Sequence, residues 1–235
     1  MDKQYSFDDF MNIIRMLRSE NGCPWDRKQT HESLKTCMIE ETYEAIEAID
    51  NKDYKNLCEE LGDVLLQVAL HTVIAEEQEE FCIEDVLNVV SNKMIYRHPH
   101  VFSDIRVESE DEVLANWEQL KKKEKETSRR NTKEVFEAIP KALPALIRAT
   151  KVQKEASKLG FDSKGFNEAL VTVEKEFKEL VNAKESGDEY RLEEEYGNLL
   201  FSVANLSRFL QLNAENSLTN ATNKFINRFV GIERL

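Results

Sequence analysis

The chain has 235 residues, enough for one large or two small domains with cores of their own, and its 7 Gly and 4 Pro leave long stretches free to be helical. A net charge of −13 opposes nonspecific binding to nucleic acid or to an anionic membrane, so a phosphate-bearing partner needs local positive charge or a metal. No apolar run approaches the ~20 residues of a membrane span, and the opening Met1-Asp2-Lys3-Gln4-Tyr5-Ser6 carries no basic-then-apolar export signal, which points to the cytoplasm.

Apolar residues recur at helical spacing along the chain and no period-two run reads as a strand, so the expected fold class is all-α. Phe7, Phe10, Met11, Ile14 and Leu17 predict a first helix, stopped by the loop residues Asn21-Gly22-Cys23-Pro24. Leu34, Met38, Tyr43, Ile46 and Ile49 predict a second, and Leu57, Leu61, Val64, Leu65, Val68 and Val73 a third. Val86, Leu87, Val90 and Met94 predict a fourth, ended by Pro99, and Val113, Leu114, Trp117 and Leu120 a fifth. The charged stretch from Lys121 to Lys133 reads as a frayed helix end and linker. Helices resume near Pro140 with Leu143, Leu146 and Ile147, continue around 166–186 and 189–213, and close near 217–231. This gives a first repeat over 1–125, a linker over 126–139 and a shorter second repeat over 140–235. Cys23, Cys37, Cys58 and Cys82 form no C-x-x-C pair, which argues against zinc and for reduced, partly buried thiols.

Within the second and third helices, the acidic pairs Glu41/Glu44 and Glu60/Asp63 are both centred on Lys52, in the turn-like stretch Asn51-Lys52-Asp53. A helical hairpin about Lys52 sets Glu41 opposite Asp63 and Glu44 opposite Glu60. The spacing of three puts each pair on one helix face about a turn apart, so four carboxylates can converge. Such a cluster repels itself unless a cation sits in it, and ligands offering only oxygen favour a hard ion such as Mg²⁺. Glu176/Glu179 and Glu195/Asn198 repeat the pattern about Gly187, each 135 residues after its counterpart (41 and 176, 60 and 195), and Gly62 reappears as Gly197. One acidic pair alone reads as a solvated helix face. Two hairpins with matched spacing, matched glycine and similar flanks read as an internal duplication.

Basic residues follow each hairpin. Lys93 and Arg97 share a helix face, and Asn92-Lys93-Met94-Ile95-Tyr96-Arg97 is matched by Asn223-Lys224-Phe225-Ile226-Asn227-Arg228. A lone Lys/Arg pair is a solvated face; its recurrence in both repeats raises a phosphate-binding role to an equal reading. His98 and His100 flank Pro99 and read as a helix-terminating turn rather than as metal ligands. Trp25 and Trp117 can stack on a base or pack in a core or interface. No P-loop, nucleophile elbow or dinucleotide fingerprint is present.

The stretches Asn21-Gly22-Cys23-Pro24-Trp25-Asp26, Gln29-Thr30, Glu40-Glu41-Thr42-Tyr43-Glu44, Glu59-Glu60-Leu61-Gly62-Asp63 and Arg97-His98-Pro99-His100-Val101-Phe102 occur in that order. Together they resemble the MazG family of nucleoside triphosphate pyrophosphohydrolases in its duplicated form, over nearly the whole chain. The resemblance implies an all-α fold, Mg²⁺ dependence, dimers that complete helical bundles, and cleavage of nucleoside triphosphates to a monophosphate and pyrophosphate. It makes Glu41, Glu44, Glu60 and Asp63 the Mg²⁺ ligands of the first repeat, Lys93 and Arg97 the triphosphate contacts, and Glu40 the group that orients or deprotonates water. Trp25, Lys224 and Arg228 join the expected substrate contacts, and Glu176, Glu179 and Glu195 a second, weaker metal set.

The second repeat departs from the pattern. Lys175 stands in the place of Glu40, Asn198 in the place of Asp63, and no counterpart of Asp111 to Lys123 follows. Asn198 keeps a carbonyl oxygen but loses a charge, and Lys175 competes with a cation. In some duplicated members of the family the second domain is the hydrolytic one; by the residues alone the first repeat is expected to be the catalytic one, and the second a dimerisation or regulatory domain with at most partial activity. A nucleotide-binding regulator without turnover and a helical scaffold are the competing readings.

Overall fold

The computed structural model describes residues 4–103, 105–107, 109–126 and 131–232. Every regular element among them is helical, and the chain divides into two compact units, Met1–Lys123 and Glu124–Leu235. No helix among the described residues is long and apolar enough to cross a membrane.

Unit 1 opens with α1, Phe7–Arg18. Ser6 and Asp9 close a reciprocal capping box at its start: the Ser6 Oγ accepts from the Asp9 amide at 3.1 Å and the Asp9 carboxylate accepts from the Ser6 amide at 3.0 Å. Met11 and Ile14 of α1 are buried with Leu34, Ala69, Leu70, Val73, Ile74 and Ile83 in the core of the unit. Arg15 and Arg18 fasten the other end of α1 with two-point contacts to Glu76 and Glu77. The chain then turns through Gly22, where a side chain would collide with the backbone carbonyls of Met16 and Leu17. A 3₁₀ turn follows at Asp26–Lys28.

α2, Lys35–Asp50, and α3, Tyr54–Glu77, form the predicted hairpin. Lys52 takes a left-handed conformation at φ 56°, and the Asp53 side chain accepts from the Lys55 and Asn56 amides to start α3. α4, Ile83–Arg97, packs on α3; the short α5, Pro99–Phe102, and α6, Glu110–Glu126, complete the unit. His98 is the cap between α4 and α5, with its Nδ1 2.7 Å from the Met94 carbonyl, as the helix-terminating reading expected.

Unit 2 contains α7, Thr132–Glu137; α8, Ala145–Lys158; α9, Phe166–Ser186; α10, Glu189–Phe209; and α11, Ala214–Ile232. α10 packs on both α9 and α8, and α11 on α8. The α9–α10 turn repeats that of unit 1, with Gly187 at φ 73° in the place of Lys52 and Asp188 accepting from the Arg191 amide. The hairpin interfaces also match in register. Ala48 and Ala69 in unit 1, and Ala183 and Ala204 at the same positions of unit 2, are almost fully buried, which lets the paired helices approach closely.

Two boundaries differ from expectation, both because of side-chain caps. Part of the stretch read as a linker is helical: α6 runs to Glu126, and Asn131 and Glu134 form a capping box that starts α7, while residues 127–130 lie outside the described residues. α11 begins at 214 rather than 217 because Asn213 accepts from the Asn216 amide at 3.1 Å, and α10 correspondingly ends at Phe209. All four cysteines are unpaired; Cys58 is exposed and the others are half-buried.

Candidate functional site

In unit 1 the turn at Lys52 brings the facing stripes of α2 and α3 together. One carboxylate oxygen from each of Glu41, Glu60 and Asp63 lies within 4.8 Å of the others, the only such group of three among the described residues. Glu44 lies close enough for its charge to act on both Glu60 and Glu41. Glu60 is 9% exposed. Burial pushes its carboxyl above the usual glutamate range, and the charges of Glu44, Asp63 and Glu41 push the same way. Glu41 is raised by burial and then by Asp63, Glu44 and Glu40. Every neighbouring charge that shifts these two groups is thus another carboxylate. An all-oxygen donor set with no countercharge of its own is what a hard divalent cation requires. Glu40 is exposed beside the cluster and close enough for its charge to act on Glu41.

The basic residues divide. Lys93 is exposed on α4. Arg97, at the end of α4, lies with its guanidinium carbon 5.7 Å from the centre of the Trp117 ring, and the Lys121 ammonium is 5.2 Å from the same ring. Two cations of the chain thus lie over the ring that the sequence offered for base stacking, at cation–π distance. The Trp117 Nε1 is buried without a hydrogen-bond partner. Trp25 is 60% exposed beside the 3₁₀ turn.

Unit 2 carries the corresponding residues along a cleft of about 750 Å³ between α8, α9 and α10, lined by Glu176, Glu179, Glu195, Asn198 and Lys175 among others. Here the acidic groups are neutralised from within. Lys175 Nζ lies 3.3 Å from Glu176; Arg191 lies 3.1 Å from Glu179 and 3.9 Å from Glu195. The Asn198 amide donates to Glu195 at 3.3 Å. Glu40, Asn56 and Asp63 of unit 1 are thus replaced by Lys175, Arg191 and Asn198. Lys175 and Asn198 were legible as departures. Arg191 was missed, although the same 135-residue register carries Asn56 onto it. Lys224 and Arg228 are exposed on α11 and do not line the cleft.

The model of the MazG nucleotide pyrophosphohydrolase domain matches the chain twice, at residues 29–102 and 165–230, so that each match contains one hairpin. The chain is 48% identical to the nucleoside triphosphate pyrophosphohydrolase/pyrophosphatase MazG of Thermotoga maritima, over 97% of this chain and 86% of that protein. It is 40% identical to the nucleoside triphosphate pyrophosphohydrolase of Escherichia coli, over 97% and 87%. The Bacillus subtilis protein YabN is 48% identical over 97% of this chain, which spans 46% of that longer relative.

Proposed function

The chain belongs to the MazG nucleotide pyrophosphohydrolase family, and from this we propose that it hydrolyses nucleoside triphosphates to a nucleoside monophosphate and pyrophosphate, with Mg²⁺ held in unit 1. The observation that carries the reading is the convergence of Glu41, Glu60 and Asp63, joined by Glu44, with no cation of the chain among the charges acting on Glu41 and Glu60. When bound, the ion supplies charge compensation for the phosphate oxygens and acidifies nearby water. The four carboxylates hold it. Glu40 orients the attacking water and takes its proton as the oxygen bonds to the α-phosphorus and the bond to the β-phosphate bridge breaks. Lys93 and Arg97 offset the charge that develops on the departing pyrophosphate, Arg97 from beside the Trp117 ring. Trp25 offers an exposed ring for the base.

Three further features belong to the same proposal. Exposed apolar residues on the unit 1 helices, including Ile39, Tyr43, Ile46, Leu61, Leu65 and Leu87, suit a homodimer that covers them in a helical bundle. The charge of −13 and the helix composition suit a cytoplasmic enzyme that binds neither nucleic acid nor membrane. Glu176, Glu179 and Glu195, with cations of their own, form at most a weak second metal set.

The test is product identity with canonical nucleoside triphosphates and Mg²⁺. Pyrophosphate and monophosphate are expected, and no turnover in excess EDTA. Orthophosphate and diphosphate as the sole products would contradict the proposal.

A further inference from the structure

Two imidazoles of unit 1, outside the carboxylate site, face each other at the open end of the α2–α3 hairpin. His31 lies in the turn that precedes α2 and His71 lies on α3, and both are half-buried. Their Nδ1 atoms are 2.8 Å apart, while the ring planes differ by 3° and the ring centres are 5.1 Å apart. Parallel imidazoles combine so short a contact with so long a centre distance only edge to edge in one plane, nitrogen aimed at nitrogen. The contact is therefore an in-line N–H···N hydrogen bond, with one ring donating and the other accepting.

Its position in the fold gives it leverage. The turn at Lys52 closes one end of the hairpin, the His31–His71 bond ties the other, and Glu41, Glu60 and Asp63 lie between. The neighbouring hydrogen bonds are local: Thr30 and Ser33 each donate an amide to the other's hydroxyl, and the Leu34 amide donates to the Thr30 carbonyl. Leu34 is packed in the core, which fixes where His31 reaches α3.

Proton count decides whether the bond exists. A neutral pair holds one proton on the line between the two nitrogens. A first added proton goes to an outer nitrogen of the donor ring and strengthens the bond, because the donor is then charged. A second has to enter the same line, setting two N–H groups and two charges head to head. Among the described residues, the charges that act on His71 are that of His31 and, in the opposite sense, that of Glu32 in the same turn. Lys35 of α2 acts on Glu32, and the α1 arginines that reach α3, Arg15 and Arg18, are taken up by Glu76 and Glu77. Burial first, and then His31, holds the His71 imidazole below its ordinary value of 6.5, against the pull of Glu32. Folding thus favours the neutral ring, a contribution present above that value and lost as pH falls through the lowered one.

We propose that the His31–His71 bond is a proton-operated latch, which positions the start of α2 against α3 and thereby Glu41 against Glu60 and Asp63, and which opens when both imidazoles are charged. The consequence for Mg²⁺ rests on the assignment of the metal to unit 1; the latch itself does not.

Hydrogen exchange of the full chain between pH 7.5 and 5, corrected for the intrinsic rate, tests the latch. Amide protection over residues 30–40 should fall about tenfold or more in the parent protein. His71→Asn keeps an acceptor in place of Nδ1 and removes the second charge, so protection there should hold. Equal loss in the two proteins, or no loss in the parent, would overturn the proposal. If His71→Asn does not fold, His31→Asn is read in the same way, and failure of both to fold at pH 7.5 would also overturn it, since each keeps a hydrogen bond in that place. Calorimetric titration with Mg²⁺ then reads the positioning role. The two proteins should bind alike at pH 7.5, and His71→Asn about threefold or more tightly at pH 5, a difference from which the titration of the carboxylates themselves cancels. Equal binding at pH 5 despite lost protection would overturn that role. Absence of Mg²⁺ binding in both proteins at pH 7.5 contradicts the metal assignment instead, and the exchange measurement still decides the latch.

Discussion

Glu60 lies, 9% exposed, where four carboxylates meet. It and Glu41 are both held above the ordinary glutamate value of 4.5, which means that folding favours their protonated forms. Their favourable contribution is present below that value and is lost as pH rises through the raised ones, so at neutral pH the cation-free unit carries the repulsion. Glu60→Gln removes one charge and keeps the volume. The melting temperature in EDTA at pH 7 should therefore rise, while the increase that Mg²⁺ gives the parent protein should shrink or vanish; a lower melting point in EDTA would contradict the reading. These glutamates were legible because a spacing of three on each side of a turn leaves few other arrangements. Arg191 was not, because its pairing with Glu179 is made across the hairpin, and local spacing carries no information about which side chain reaches over.

Both hairpins turn on a residue at positive φ, Lys52 at 56° in unit 1 and Gly187 at 73° in unit 2. A residue with a side chain pays about 1 kcal/mol or more for that conformation, and glycine does not. Gly187→Ala should lower the stability of unit 2 by about 1 kcal/mol, since open space around the glycine leaves backbone strain as the main effect. Lys52→Gly should be neutral to stabilising by a few tenths of a kcal/mol, the relief of strain being partly offset by the freer unfolded chain. Urea unfolding of the two variants checks the pair; a stabilising Gly187→Ala or a clearly destabilising Lys52→Gly would contradict the equivalence of the turns. Helix existence was legible from apolar periodicity for α1 to α4, α6 and α8 to α11, but not for the short α5 or for α7, which fell in the stretch read as a linker. The start of α7 and the junction of α10 with α11 were not legible, because Asn131 and Asn213 act through single side-chain hydrogen bonds that the periodicity of apolar residues does not register.

At the scale of the whole molecule, duplication gives two hairpins with the same buried alanines and opposite charge logic. Unit 1 gathers carboxylates in an arrangement that fits a divalent cation, and unit 2 pairs its glutamates with cations of its own. Exposed apolar residues on the unit 1 helices predict that sedimentation at micromolar concentration finds a dimer, and a compact monomer fully active on dilution would contradict that. The duplication itself was legible in full, since it is a property of spacing; assembly was not, because it depends on which apolar faces stay uncovered after folding. The division of labour between the units is tested most directly by two substitutions that neutralise equivalent hairpins. Asp63→Asn imposes on unit 1 the residue already present at Asn198, and Glu195→Gln removes a charge from unit 2. Pyrophosphate release with Mg²⁺ should fall by about 100-fold or more in Asp63→Asn and change little in Glu195→Gln; the reverse ranking would place catalysis in unit 2 and contradict the assignment.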